Sequence, residues 1–510
     1  MFSEGNWFGK TEAYSISNSC RFNDGDSAYL YRDGDTATPS SDQDCTISAW
    51  VKRGSNLGSN STICNAGDPS GSTSESLRFG TGNQLQFSQA SSAYDLKTTA
   101  LYRDVASWYH VVAVLDLNNS TQGDRVKLYV NGERITDFAT ETYPSNTTTT
   151  TNFTAGSSDV EHVVGSNSHS GPASQFFDGY IAELALVEQV LAASSFGETN
   201  SDTGQWIPKS ISGLAFGTNG FLLAFQDSSA LGDDTSGNGN DFTPTNLAAA
   251  DQMTDSPTDN FCTLSPLEKH SNLTLSDGNL TVAQGTAAWN GVKSTFYVNS
   301  GKWYWEVIAN SLTYMSVGIS KNAWTMDNNL GSDTNGWGRS EAANIYHGGS
   351  GSWPTTFSSG NILNIALDMD NGAIWFGKNG SWENSATEAE IEAGTTTNAA
   401  FTSITGFVAP AIALHSSGNL TLRINHGDCT GDIPSGFSAL STANLPDPTG
   451  AAVDPSAYFQ PTIYSGNGGS NEINQIGNSK FEPDMIWLKE RSAGNHGTII
   501  DSVRGGNKGV

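Results

Sequence analysis

The chain has 510 residues, with 24 basic against 52 acidic side chains and a formal charge of −28. Binding a phosphate backbone needs a positive surface, so this balance speaks against a nucleic-acid ligand. Only 15% of residues are charged and 55 are glycine, a composition that describes strands joined by turns more than a disordered acidic tail.

At about 150 residues per domain, the length predicts roughly three units. No window holds eighteen uninterrupted apolar residues, and the opening MFSEGNWFGK lacks a basic stretch followed by an apolar run. Neither membrane insertion nor export is therefore expected. The cysteines, Cys20, Cys45, Cys64, Cys262 and Cys429, are odd in number, widely spaced and without a Cys-x-x-Cys pair. They read as reduced thiols on strands in a reducing cytoplasm, a disulfide between two of the first three being the alternative.

Residues 1–200 form the first predicted unit. CRFNDGDSAYLYR, CTISAWVKR, LRFGTGNQLQFS, SWYHVVAVLDL, RVKLYVNGERI and YIAELALVEQVL read as successive strands of a β-sandwich, with Asn131-Gly132 as a hairpin turn. Four of these carry motifs in a fixed order: Thr46 to Trp50, then Trp108 to His110, then Leu128 to Gly132, then Asp178 to Leu184. That order resembles the laminin-G-like family of concanavalin A type. The resemblance implies a jelly-roll sandwich and says little about ligand.

Residues 201–262 read as a Gly/Asn/Asp-rich connector in which Phe221 to Phe225 are able to pair as a further strand of the first sandwich. Within it, DDTSGNGND gathers Asp233, Asp234, Asn238, Asn240 and Asp241. Carboxylates, amides and turn carbonyls in a short loop are the oxygens calcium requires, so these five are the candidate calcium ligands, an ordinary Asx-rich turn being the alternative. Asn23, Asp24 and Asp26 form a second such cluster.

Residues 263–435 form the next unit. GKWYWEV at 301–307 and GNILNIALDMDNGAIWFGKNG at 360–380 alternate β-branched or aromatic with polar residues, and Asn371-Gly372 and Asn379-Gly380 supply turn residues for tight hairpins. Gly301, Lys302, Tyr304 to Val307, Leu367 to Gly372, Ile374, Phe376 and Lys378 to Gly380 resemble the two signature stretches of the SPRY domain, a recognition module. The resemblance implies binding on loops at one end of a sandwich. Trp50, Trp108, Trp305 and Trp375 lie in strand patterns and read as core. Trp324, Trp337 and Trp353 fall in the turn-rich interval 320–357 and are the candidate ligand-contacting aromatics. Glu388, Glu390 and Glu392 read as a solvated acidic loop.

Residues 436–455 form a Pro/Asp/Gly-rich linker, and 456–510 begin a β-rich C-terminal domain that the chain is expected to leave incomplete. The predicted fold is all-β: two antiparallel jelly-roll-like β-sandwiches in tandem plus a partial β-rich C-terminal unit. Catalysis is not expected, because no Glu-x-Asp-x-x-Glu strand and no His-Glu-x-x-His pattern is present. The whole succession, including PSAYFQPTIYSGNG and FEPDMIWLKERSAGNHGTIIDSVRGG, is similar to virion proteins of marine-type bacteriophages. It implies a non-enzymatic structural and adhesive component of tail- or head-fibre type, assembled in the host cytoplasm as a homo-oligomer. Its partners would be other virion proteins and a host-surface glycan or protein. The alternatives are a capsid or tail decoration protein and, more remotely, a glycan-active hydrolase.

Overall fold

The computed structural model describes residues 14–34, 37–68, 73–90, 93–145, 150–157, 159–168, 173–201, 203–445, 459–460, 462, 464–474, 481–490 and 497–503. Met1–Glu198 with Ile207–Leu445 form one compact unit, and Thr199–Trp206 with Pro446–Val510 a second. The fold is nearly all β, built from antiparallel sheets.

The first sandwich consists of two eight-stranded sheets. Asp44–Arg53 lies between Tyr109–Asp116 and Gly179–Val187 at the centre of one sheet. Period-two alternation sends Cys45, Ile47, Ala49 and Val51 into the core, and Thr46, Ser48, Trp50 and Lys52 to the opposite face. Asn131 and Gly132 both take positive φ, 50° and 80°, which closes the expected hairpin. The connector is part of this sandwich. Phe221–Leu223 pairs with Gly179–Val187, Thr243–Thr245 with Tyr29–Arg32, and Gln252–Met253 with Ser19–Phe22. All five cysteines are free thiols, and only Cys429 is not fully buried.

The second sandwich is organised by two long strands, Lys302–Ser320 and Ala409–Arg423, paired along most of their length. Register shifts between Ala309 and Ser311 and between Leu312 and Tyr314 bend the first of them. Its early half pairs with Ile362–Asp368 and its late half with Gly336–Ser340. One strand thus serves two layers. The Asn379-Gly380 turn has the expected positive φ values, whereas at Asn371-Gly372 only Gly372 does. There Asp368 Oδ1 accepts from the backbone N–H groups of Asp370 and Asn371, each at 3.0 Å, so a capped four-residue loop replaces the tight turn predicted. In the C-terminal unit, Met485–Leu488 pairs with Thr498–Asp501.

The two sandwiches share a polar seam inside the first unit. Lys52 Nζ donates to Asp255 Oδ2 at 2.7 Å, to Asn260 Oδ1 at 2.7 Å and to the Phe261 carbonyl at 2.8 Å. Trp108 Nε1 donates to Asp255 Oδ1 at 3.0 Å. The Lys52 and Asp255 side chains are only 1% and 4% exposed. Nearby the Tyr180 hydroxyl donates to the Gly278 carbonyl at 2.7 Å. Position 278 must be glycine: its φ is +60°, and a Cβ there would lie 2.3 Å from the Tyr180 hydroxyl.

Replacing Lys52 by Met leaves Asp255 buried without its cation, and is expected to cost about 3–5 kcal/mol in chemical denaturation. Lys52→Met with Asp255→Leu is expected to recover part of that loss. A neutral single variant would show that the seam does not hold the sandwiches together.

Burial also sets a pH dependence. Desolvation pushes the Glu75 carboxyl up to about 7, against hydrogen bonds from Thr151, Asn152 and Gln89 that favour its charged form. A raised carboxyl contributes stability that is full below its unfolded value, 4.5, and is lost as pH rises through 7. Burial lowers His110 and His162 to about 3, which acts oppositely below pH 6.5. Comparing wild type with Glu75→Gln isolates the carboxyl: the wild type should lose about 3 kcal/mol relative to the variant between pH 4 and 8. A constant difference across that range would contradict the assignment.

Candidate functional site

The three tryptophans expected on an exposed loop surface lie in the core instead. Trp324 is 2% exposed and packs on Leu330, Ala411 and Ala413. It lies directly over Gly291, where a Cβ would come within 2.2 Å of the indole Cη2. Trp337 belongs to the Gly336–Ser340 strand, opposite Ile319, and its indole is stacked by His347 with ring centroids 4.6 Å apart. The Trp353 Nε1 donates to Glu383, whose carboxylate also holds Arg339 at 2.9 Å. Trp337 and Trp353 belong to the main core of the second sandwich, and Trp324 fills the space left by small residues on two of its strands.

The candidate calcium loop is an Asx turn closed on itself. The Asp234 carboxylate accepts from the backbone N–H groups of Leu222, Ser236 and Asn240 at 2.8–2.9 Å. Asp241 Oδ1 accepts from the Asp234 N–H. Asn238 and Asn240 turn their Nδ2 donors to the carbonyls of Gly217, Thr218 and Gly220. Asp233 and Asp241 are exposed while Asp234 and Asn240 are buried. The five residues therefore do not converge their oxygens into the cage of six to eight that calcium needs. The second cluster is a short 3₁₀ turn capped by Asn23, whose side chain accepts from the Gly25 N–H. Glu388–Glu392, read as a loop, is one turn of α-helix. Thr387 and Glu390 exchange backbone and side-chain hydrogen bonds, and Ile391 is buried beneath it. That T-x-x-E capping box was present in the sequence as its signal.

Ser48 Oγ and His110 Nε2 lie 2.8 Å apart, a spacing that nucleophilic pairs also use. Both are buried, and the His110 ring lies on Trp50 at 4.5 Å. A substrate has no access to this pair, and it reads as packing.

The open feature is a cleft of about 550 Å³ along the seam. The first sandwich and connector contribute Arg21, Tyr180 and Gln252, and the second sandwich Leu280, Arg423 and Asn425. Arg21 Nη2 is paired with Asp251 Oδ1 at 2.9 Å, but its Nε is buried without a hydrogen-bond partner. Arg423 Nη1 lies 3.6 Å from Glu306 Oε2 and likewise has no hydrogen bond. The cleft joins residues about 400 positions apart in the chain, which no local motif announces. A second surface feature was also missed: Trp289, His415 and Tyr314 stand opposite one another on three adjacent strands. Their neighbouring rings are 5.4 and 5.5 Å apart, and Tyr314 is 47% exposed.

Residues 23–195 match the concanavalin A-like lectin/glucanases superfamily, and residues 302–428 match the SPRY domain. The chain carries a laminin-G-like module and a SPRY module. Residues 454–510 match a domain of unknown function (DUF7483). Among solved structures, the crystal structure of the SPRY domain of human HERC1 is similar at 20% identity, over 31% of this chain and 96% of that one, with a TM-score of 0.26. The laminin-G-like match spans most of the first sandwich, and the SPRY match contains both long strands of the second apart from the connecting edge strands.

If the 233–241 loop is held by its own hydrogen bonds, calcium and chelator should each leave the melting temperature unchanged. Asp234→Ala should destabilise by about 1–3 kcal/mol, since three N–H groups lose their acceptor. A calcium-dependent rise in melting temperature, abolished by Asp234→Ala, would reinstate the metal.

Proposed function

We propose that the chain is a non-enzymatic adhesive component of a bacteriophage particle, of tail- or head-fibre type, that binds a host-surface glycan or protein. Lectin-like and SPRY sandwiches together point to a binding or adhesive module. The observation that carries the reading is the buried Lys52–Asp255 seam, which fixes two recognition-type modules in one unit with a cleft open between them. A rigid pair of binding surfaces loses little conformational entropy on engaging a ligand. Repeated on a homo-oligomeric particle, weak single sites would add through effective concentration.

The particle assignment draws on the resemblance of the whole succession to phage virion proteins, and on an acidic, glycine-rich composition with free thiols, compatible with assembly in a bacterial cytoplasm. A decoration protein that binds other virion proteins is the second reading. It is favoured by the exposed Met485 and Trp487 of the C-terminal hairpin, 57% and 69% accessible, apolar surface of the kind that protein partners cover.

A glycan array probed with the full chain, displayed both as free protein and on multivalent beads, separates the two. The adhesive reading expects saccharide binding that strengthens at least tenfold on the beads. Failure to bind any glycan in either format and failure to bind host cells, with binding to purified particles lacking the protein, would establish the decoration reading in its place.

A further inference from the structure

We propose that the seam holds a self-acylating triad: the side-chain amine of Lys52 attacks the side-chain amide of Asn260, Asp255 moves the protons, and an isopeptide bond joins the two residues. The bond is a covalent clasp between a central strand and the connector, independent of what the chain binds.

Three groups meet at one nitrogen. Lys52 Nζ lies 2.7 Å from Asp255 Oδ2 and 2.7 Å from Asn260 Oδ1. A carbonyl bond adds only about 1.2 Å, so the amine stands within about 4 Å of the Asn260 amide carbon. Contacts on the other sides hold that approach. Asn260 Nδ2 donates to the Ala106 carbonyl at 2.6 Å, and its backbone N–H to Thr442 Oγ1 at 2.9 Å. Asp255 Oδ1 accepts from Trp108 Nε1 at 3.0 Å and from the Phe261 N–H at 3.3 Å, which leaves Oδ2 to face the amine. Positioning of this kind turns a sluggish exchange between two side chains into a first-order step.

Burial supplies the reactivity. An ammonium is no nucleophile and a carboxylate no acid, and in water Lys and Asp hold those charged forms. At the seam the Lys52 and Asp255 side chains are 1% and 4% exposed, and Lys52 Nζ lies 5.6 Å from the centre of the Tyr180 ring. Desolvation pushes the Asp255 carboxyl up, against the Lys52 charge that favours its ionised form. Passing a proton from Nζ to Oδ2 therefore exchanges a dry ion pair for an uncharged pair. Lys293 is buried as well, but its Nζ is 3.4 Å from Asn322 Oδ1 and 3.7 Å from Glu268 Oε1, and Glu268 is 34% exposed, within reach of water. Only the Lys52 site combines close contact with a dry acid.

The step balances without an oxidant or co-reactant. Once Nζ has given one proton to Asp255, its lone pair attacks Asn260 Cγ while the Asp255 acid polarises the amide oxygen. The tetrahedral intermediate collapses as the Cγ–Nδ2 bond breaks. Asp255 hands its proton to Nδ2 and takes one from Nζ, and Nδ2 leaves as ammonia past the half-buried Asn260. The products are a neutral amide and a neutral carboxylic acid, so no charge remains buried at the seam. The new amide N–H keeps an acceptor in the Phe261 carbonyl, already 2.8 Å from Nζ.

Mass spectrometry of the full chain, intact and as a peptide map after overnight incubation at neutral pH, tests the bond. The wild type is expected to fall short of its sequence mass by one ammonia, to resist trypsin after Lys52, and to yield one joined peptide containing residues 52 and 260, which lie 208 positions apart. Succinimide formation at an Asn-Gly pair such as Asn131-Gly132 also expels ammonia, but it leaves every peptide separate. Asp255→Asn and Asn260→Ala should each restore the full sequence mass, with circular dichroism to check that each is folded. A wild-type chain of full sequence mass, or one whose deficit maps to an Asn-Gly pair, would overturn the proposal whether or not the variants fold. A cross-link that survives in folded Asp255→Asn would overturn the part given to Asp255.

Discussion

A single buried ion pair, Lys52 with Asp255, governs the arrangement of this molecule. Lys52 lies on the outward face of a central strand of the first sandwich, where an unpaired ammonium would be held out of water at heavy cost. It is satisfied by three oxygens from the segment 255–261, the stretch that leads into the second sandwich. Asp255 is satisfied in turn by Trp108 as well as Lys52. Because every member is needed to neutralise the others, the segment has one position. The seam, the Tyr180–Gly278 contact and the cleft all follow from that position.

The connector explains why such a seam forms at all. A Gly/Asn/Asp-rich stretch between two modules is commonly a spacer, and here its backbone instead completes both sheets of the first sandwich. Edge strands left open would invite pairing with other chains, and covering them with the connector closes those edges while delivering Asp255 to Lys52. The Asx turn at 233–241 belongs to the same construction. Asp234 and Asn240 spend their polar groups on neighbouring backbone, which shapes the turn between two of the added strands.

Local patterning made the sandwiches legible from sequence, because strand period, Asn-Gly turns and core aromatics are all short-range signals. The 301–307 and 360–380 stretches, the Asn131-Gly132 hairpin, the buried Trp50, Trp108, Trp305 and Trp375, and the pairing of Phe221 with the first sandwich were readable this way. The candidate site was not. Trp324, Trp337 and Trp353 sit in turn-rich text that looks solvent-exposed, yet Gly291, Ala411 and Ala413 on distant strands leave the space that Trp324 occupies, and Trp337 and Trp353 join the main core of the second sandwich. Nothing near a tryptophan in sequence reveals a glycine lying beneath it in space. The same holds for Asp234, whose composition matched a cation loop while its hydrogen-bond partners were spent on the backbone.

By itself, the sequence determined the class of fold, the order of the modules and most of the strands, since these depend on periodicities of two residues and on turn chemistry within four. Tertiary structure alone decided which polar groups are consumed and which remain free. Arg21 and Arg423 are ordinary strand residues in the text, and they meet at one cleft only because the seam brings the two sandwiches together. A hydrogen-bond inventory is a property of three-dimensional neighbours, so it becomes visible only in the folded chain.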